Sequence, residues 1–242
     1  MPEPSAARPA PLIWTQPPPP GRQRSLDRDT IVRAAIEVAD AGGAGALTMG
    51  AVARRLGSYS PMALYRYVSS KDGLVDLMLD AAIAEVPIPA APSGEWRADL
   101  RALALATWEM VKGHGWYAQL IHTRPPAGPH AMRHTEFGLA VLAGQGLPVA
   151  DAMLLAALVD RHVFGSALQE VEERRMRERY GLDTMEKFLA AMRPVRDLAA
   201  RDGRLPHLAS WLAEPEAATE DEQFALGLDC LLDGIALRVG GR

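Results

Sequence analysis

Between residues 41 and 94 helix start and stop signals crowd so closely that only short helices fit there, and this punctuation restricts the fold more than any other feature of the chain. Ahead of it, Ile31, Ala34, Ala35, Val38 and Ala39 recur at helical spacing and place a first helix over about 27–41, ended by "AGGAG" at 41–45. Thr48 is a natural N-cap for a second helix that turns Val52 and Leu56 inward and stops at Gly57. Ser60 followed by Pro61 opens a third, barely two turns long, which carries Leu64 and Val68. Ser70 caps a fourth, with Leu74, Leu77, Met78, Ala81 and Ile83 on its buried side and "VPIPAAPSG" at 86–94 as its end. Short helices with a glycine turn between the second and third are the geometry of a helix-turn-helix. The later helix of that pair lies in a major groove, so it is short and open on one side, while the earlier one braces it.

Beyond residue 95 every periodic segment reads as helix, at about 95–112, 116–122, 129–144, 149–179, 183–201 and 220–239, and none alternates like a strand. The expected class is all-α, with a small N-terminal DNA-binding unit joined by its fourth helix to a larger helical body. The expected divisions are a proline-rich arm at 1–24, the helix-turn-helix at 25–70, a connecting helix at 71–86 and the body at 87–242. Eight prolines in the first 21 residues argue against packed helix or strand in the arm.

Charge separates head from body. The chain carries −4 overall, yet residues 22–71 hold eight basic side chains against four acidic ones, so the remainder is strongly acidic. A basic head on an acidic body suits a polyanionic partner for the head alone. The single cysteine, Cys230, excludes an internal disulfide framework and sits in an apolar run, like a small core residue. No secretory signal pattern opens the chain, and no run approaches the roughly 20 apolar residues of a membrane span. The expected setting is cytoplasmic, with no membrane partner.

Motifs for catalysis are missing: there is no G-x-S-x-G, no G-x-x-x-x-G-K, no G-x-G-x-x-G after a strand and no paired metal cysteines. His130 and His134 have a metal-ligand spacing, but no accompanying Glu makes them a metalloprotease motif. We therefore expect no enzyme, metal or cofactor.

"LTMGAVARRLG" and "MALYRYVSSKDGLVDLM", with the "AGGAGALTM" that leads into them, resemble the DNA-binding head of the tetracycline-repressor (TetR) family, over about residues 25–80. "FALGLDCLLDGI" at 224–235 resembles the end of that family's C-terminal domain. The resemblance implies that Thr48 and Lys71 meet phosphates from helix N-termini and that Tyr65 and Tyr67 touch the sugar-phosphate backbone. It further implies that Arg66 reaches a base edge or phosphate and that Met62 and Ala63, after Ser60 and Pro61, face the bases. One departure stands out: six residues, "SYSPMA", separate Leu56-Gly57 from Leu64-Tyr65, one more than the family pattern. Arg22 and Arg24, at the end of the proline arm, are candidates for minor-groove or phosphate contacts.

The family also implies a two-fold dimer and a sensor cavity. In the last helix Phe224, Leu228, Leu231 and Ile235 form a heptad-like seam, expected at the dimer interface, with Leu226, Leu232 and Leu237 on another side. Trp108, Trp116, His122, His134, Phe137, Arg161, His162 and Phe164 are the candidate lining of a cavity for a small hydrophobic effector. The expected function is a repressor that binds palindromic double-stranded operator DNA as a homodimer and is released by that effector. The alternative is a helical scaffold or small-molecule binder without DNA binding.

Overall fold

The computed structural model describes residues 12–16, 26–57, 59–125, 127–213 and 218–240. Among them the chain is all-α. Helices α1 (Arg28–Gly42), α2 (Met49–Arg55) and α3 (Pro61–Val68) form the head, and α4 (Lys71–Ile83) leaves it. The body comprises α5 (Trp96–Gly113), α6 (Tyr117–Leu120), α7 (Pro129–Ala143), α8 (Val149–Arg179), α9 (Met185–Arg201), α10 (Pro206–Ala213) and α11 (Glu220–Gly240).

The short helices start where capping chemistry dictates. Asp27 accepts from the Thr30 amide, Thr48 from Ala51, Ser60 from Ala63 and Ser70 from Gly73, each satisfying an otherwise orphaned donor. Gly57, with φ +90°, turns the chain after α2 in a conformation that side chains resist.

α4 is buried almost all round, from Gly73 to Asp80 and again at Ala82 and Ile83, because it packs on α1 and α3 on the head side and on α5, α6 and α7 on the body side. One apolar core therefore runs unbroken through it, from Leu26 and Ile31 to Leu228 and Ile235. The body is built on α8, which packs against α5, α7 and α11.

Four expectations are corrected. The arm is not devoid of packed structure: Ile13–Thr15 form a turn of 3-10 helix against α4, and Ile13 is buried. Proline density limits backbone freedom but does not stop an intervening "LIW" from finding an apolar niche. The last-helix seam faces its own subunit, since Phe224, Leu228 and Ile235 are fully buried within one chain and Leu231 is half-buried. A heptad stripe states only that a helix has an apolar side, and here α5 and α8 take it. Cys230, on the opposite side, is exposed. Finally, α10 occupies 206–213, where sequence periodicity marks no element; its Leu208 and Trp211 lie in solvent, so no buried stripe announces it.

Candidate nucleic-acid interface and ligand cavity

α3 is inserted in the head by Leu64, Tyr67 and Val68 and shows its other side to solvent. Pro61, Met62 and Arg66 are exposed and Ala63 and Tyr65 are half-buried; Met62 is 74% exposed although apolar. Thr48, Ser60 and Lys71 are exposed at the N-terminal ends of α2, α3 and α4. The Thr48 and Ser60 hydroxyl oxygens accept from their own helices, which leaves each O–H proton free to donate outward. Tyr67 departs from expectation: it is buried, and its backbone carbonyl accepts from Arg28 Nε at 3.1 Å. Tyr65 and Tyr67 are two positions apart and so point to different sides of one helix, and the core claims the second. Arg22 and Arg24 lie outside the described residues. The additional residue of "SYSPMA" falls in the turn, where Tyr59 packs against the core and leaves Ser60 as the cap.

Between α3 and α4 the backbone is strained. Ser69 has φ +61° and ψ −40°, and the Ser70 amide bonds back to the Val68 carbonyl at 2.7 Å, a tight γ-turn with a non-glycine centre.

A cavity of about 320 Å³ lies where α4, α6, α7 and α8 meet. Ile83 closes it from α4, and Tyr117 and Ile121 from the α6 region. α7 contributes Ala131, His134 and Thr135, and α8 contributes Ala157, Asp160, Arg161 and Phe164 as one i, i+3, i+4, i+7 stripe; His122 lies edge-on to Phe164. Four of the candidate lining residues, His122, His134, Arg161 and Phe164, are brought together there. Trp108 and His162 border a different cavity, Phe137 is in the core, and Trp116 ties body to head by donating Nε1–H to Asp40 of α1 at 2.6 Å. Tyr117 and Asp160 were not foreseen. Asp160 closes the apolar run at 152–159, and its spacing from Ala157 and Phe164 sets it on their face.

The cavity's polar groups are tuned by burial. Thr107 donates its hydroxyl proton to the Leu103 carbonyl at 2.8 Å, so toward His134 Nε2, 2.9 Å away, the hydroxyl must accept and the imidazole must donate. Burial pulls the His134 pKa down to about 4 and so keeps the ring neutral near pH 7, which with Nε2 protonated leaves Nδ1 as its remaining acceptor. Burial pushes the Asp160 carboxyl up to about 6. The Tyr117 phenol is raised by burial and then by the nearby Asp160 and Asp80 charges.

α4 is fastened to this wall. Asp72, Asp76 and Asp80, four apart, form one acidic face. Asp76 takes a two-pronged pair from Arg124, Oδ1 to Nε at 2.8 Å and Oδ2 to Nη2 at 2.9 Å, and Asp72 adds a longer contact. Asp80 accepts from the backbone amides of His130 and Ala131 at 2.9 and 3.0 Å and from His130 Nδ1 at 2.8 Å, which caps α7 from another helix. A side chain at Gly128 would collide with that carboxylate. Ala131, held by Asp80, lines the cavity, and Arg124 lies three residues past Ile121, which also lines it. A second tie involves His114, whose Nδ1 meets Asp40 at 2.8 Å and Nε2 meets Glu85 at 3.3 Å. Burial opposes its charge, but hydrogen bonds and charge from Asp40 and Glu85 outweigh that and raise its pKa.

A helix-turn-helix head joined through one shared helix to a helical body with its own cavity is the plan of a ligand-responsive DNA-binding regulator. The chain belongs to the bacterial regulatory proteins of the tetR family: that family's model matches residues 31–78, and the tetracyclin repressor-like C-terminal domain matches 88–239. It is 35% identical over 239 residues, 98% of this chain and 87% of the other, to the HTH-type transcriptional repressor DrrR1 of Streptomyces coeruleorubidus. It is 26% identical over 216 residues, 88% of this chain and 92% of the other, to a class A tetracycline repressor protein of Escherichia coli. Among solved structures, ActR of Streptomyces coelicolor in complex with actinorhodin superposes with a TM-score of 0.74 at 25% identity, covering 89% of this chain and 99% of that one.

Proposed function

We propose that this regulator is a cytoplasmic repressor that holds palindromic operator DNA as a homodimer and releases it when a small hydrophobic, aromatic or polycyclic molecule fills the cavity between α4 and α8. The observation that carries the reading is the Asp76–Arg124 and Asp80–α7 fastening, because it makes the cavity wall and the helix that leaves the DNA-binding head one mechanical unit. A ligand that shifts the first turn of α7 must shift or strain α4, and in a two-fold dimer this alters the separation of the two α3 helices. The effector class is supported by ActR, solved with actinorhodin, and repression by the repressor name of DrrR1.

In this reading residues 25–70 are the DNA-binding domain, 71–86 the connection and 87–242 the sensing and dimerising body. Thr48, Ser60 and Lys71 hold phosphates, Pro61, Met62, Ala63 and Arg66 face the bases, and Tyr65 flanks them. The dimer surface moves from the buried seam to the exposed side of α11, where Leu226, Cys230 and Leu237 share a face. It is joined by the apolar side of α8 that carries Leu154, Leu158 and Leu168, all solvent-exposed in the single chain.

The test is selection of genomic fragments by the purified protein, followed by titration of the selected site. Tyr65→Ala or Arg66→Ala should cost on the order of 1–3 kcal/mol of specific affinity with the dimer intact. Equal affinity of wild type and both variants for an inverted-repeat site removes the assignment. Polycyclic aromatics that raise the melting temperature should also release that site.

A further inference from the structure

The wall of the α4–α8 cavity is richer in acceptors than in donors. Asp160 lines it from the middle of α8, and among the described residues its carboxyl takes no hydrogen bond and no ion pair. Burial is the one influence that moves its pKa, so no amide, hydroxyl or cation of the protein offsets the cost of enclosing that charge. A carboxyl that the fold leaves unsatisfied calls for an account, and for one that lines a cavity a donor on a ligand supplies it.

The polar side chains around it have the same bias. The Thr135 hydroxyl gives its proton to the Ala131 carbonyl at 3.1 Å, so its oxygen can only accept. His134, with Nε2 engaged by Thr107 of α5 at 2.9 Å, keeps Nδ1 as an acceptor. Both side chains line the cavity, as does Arg161, which is exposed and so stands at its outer edge. The Arg161 guanidinium and the Asp160 carboxylate sum to zero charge, so a fitting ligand brings hydrogen-bond donors rather than a charge of its own. The apolar part of the wall is aromatic on one side, where the Tyr117 and Phe164 rings lie 5.7 Å apart, and aliphatic on the other, at Ile83 and Ile121.

We propose that Asp160 is the specificity-determining residue of this cavity and selects a neutral hydroxylated arene, whose hydroxyl donates to the Asp160 carboxylate while its rings lie against Tyr117, Ile121 and Phe164. The proposal rests on the reading of this cavity as the effector site and names the group that the effector must carry. An ether or ketone oxygen in the same place sets an acceptor against an acceptor, with no proton for either. An ammonium has to give up its hydration beside the Arg161 guanidinium.

The probes are 2-naphthol, its methyl ether 2-methoxynaphthalene and the cation 2-naphthylmethylammonium, titrated calorimetrically against the full-length protein at pH 7.5. The naphthol should bind at least about tenfold more tightly than the ether and the ammonium, the scale of one hydrogen bond to a charged acceptor. Asp160→Leu should bring naphthol and ether within about threefold of each other, since only the charged acceptor tells them apart. It should also raise the melting temperature of the free protein, whereas a carboxyl that serves the fold would lower it on removal. Ala157→Phe, which fills the cavity, should abolish binding of all three probes, with unfolding curves establishing that each variant is folded. Equal affinity for naphthol and ether in the wild type, a preference that survives Asp160→Leu, or tightest binding by the ammonium overturns the proposal; if Ala157→Phe still abolishes that binding, the cavity remains a ligand site. Binding indifferent to Ala157→Phe removes the effector-site reading and this proposal together.

Discussion

Single residues settle several contests in this molecule. Ser69 occupies a positive-φ γ-turn that glycine tolerates without strain, so Ser69→Gly should raise unfolding stability by about 1 kcal/mol, read by urea denaturation. Gly73 is the reverse case: an added Cβ would press on the Val68 carbonyl that closes the same turn, so Gly73→Ala should destabilise clearly. A stabilised Gly73→Ala protein would show that this junction is looser than described. In the cavity, two buried groups pull the pH profile in opposite directions. His134 stays neutral when folded, with a pKa near 4 against 6.5 unfolded, so its contribution is complete above pH 6.5 and lost as pH falls toward 4. Asp160, raised from 3.8 to about 6, favours its neutral form when folded, so its contribution is present at low pH and lost as pH rises through that window. Each is worth about 3 kcal/mol at full extent, so they largely cancel in the wild type. Between pH 7 and 4, His134→Gln should therefore gain stability relative to wild type and Asp160→Asn should lose it. Parallel profiles for all three proteins would contradict this assignment of the buried groups.

At the scale of elements, α4 joins the parts because it has no solvent side for most of its length. Its acidic face converts a helix–helix contact into specific charge-assisted bonds, and a buried ion pair that loses one partner leaves an uncompensated charge. Asp76→Asn retains the packing but weakens the grip on Arg124. In DNA-binding titrations it should leave operator affinity within a few-fold of wild type while reducing the effector-induced loss of affinity by about tenfold. If effector response is unchanged in Asp76→Asn, the signal travels through α4 packing alone. The same element-level view explains why sequence periodicity located α1 to α4 so closely. Each begins at a side chain that caps it, and caps are local chemistry between residues two or three apart. α10 was invisible because its apolar side chains are largely in solvent, where nothing distinguishes them from a loop.

At the scale of the whole molecule stand the proposed partner copy and the proposed operator DNA. Leu226 and Leu237, 68% and 79% exposed, are apolar surface that a single chain leaves wet. Leu226→Glu combined with Leu237→Glu should give a folded monomer by sedimentation and weaken operator binding by at least about a hundredfold, because one head reads only one half-site. A dimer that survives both changes places the interface elsewhere. The arm requires a different test from truncation, since deleting it would remove the buried Ile13 and disturb α4. Arg22→Ala with Arg24→Ala leaves Ile13 in place. If both arginines meet phosphates, the slope of log affinity against log salt should fall by about 0.9 per lost contact per subunit. An unchanged slope would assign all phosphate contacts to the helices.

What the amino-acid sequence determined by itself was whatever depends on neighbours along the chain. It set the helical class, the four capped helices α1 to α4, the glycine that turns α2 into α3, and the basic head on an acidic body. Tertiary structure decided which side of each helix is spoken for. It turned Tyr67 inward and left Tyr65 at the surface, and it claimed the Phe224–Leu228–Ile235 seam for the chain's own core and exposed Cys230. It also divided the eight candidate lining residues among two cavities, the core and a tie to Asp40. The physical reason is that periodicity reports an apolar side but not its occupant: burial is a property of pairs of surfaces distant in sequence, and those pairs exist only once α8 and α4 have gathered the other helices around them.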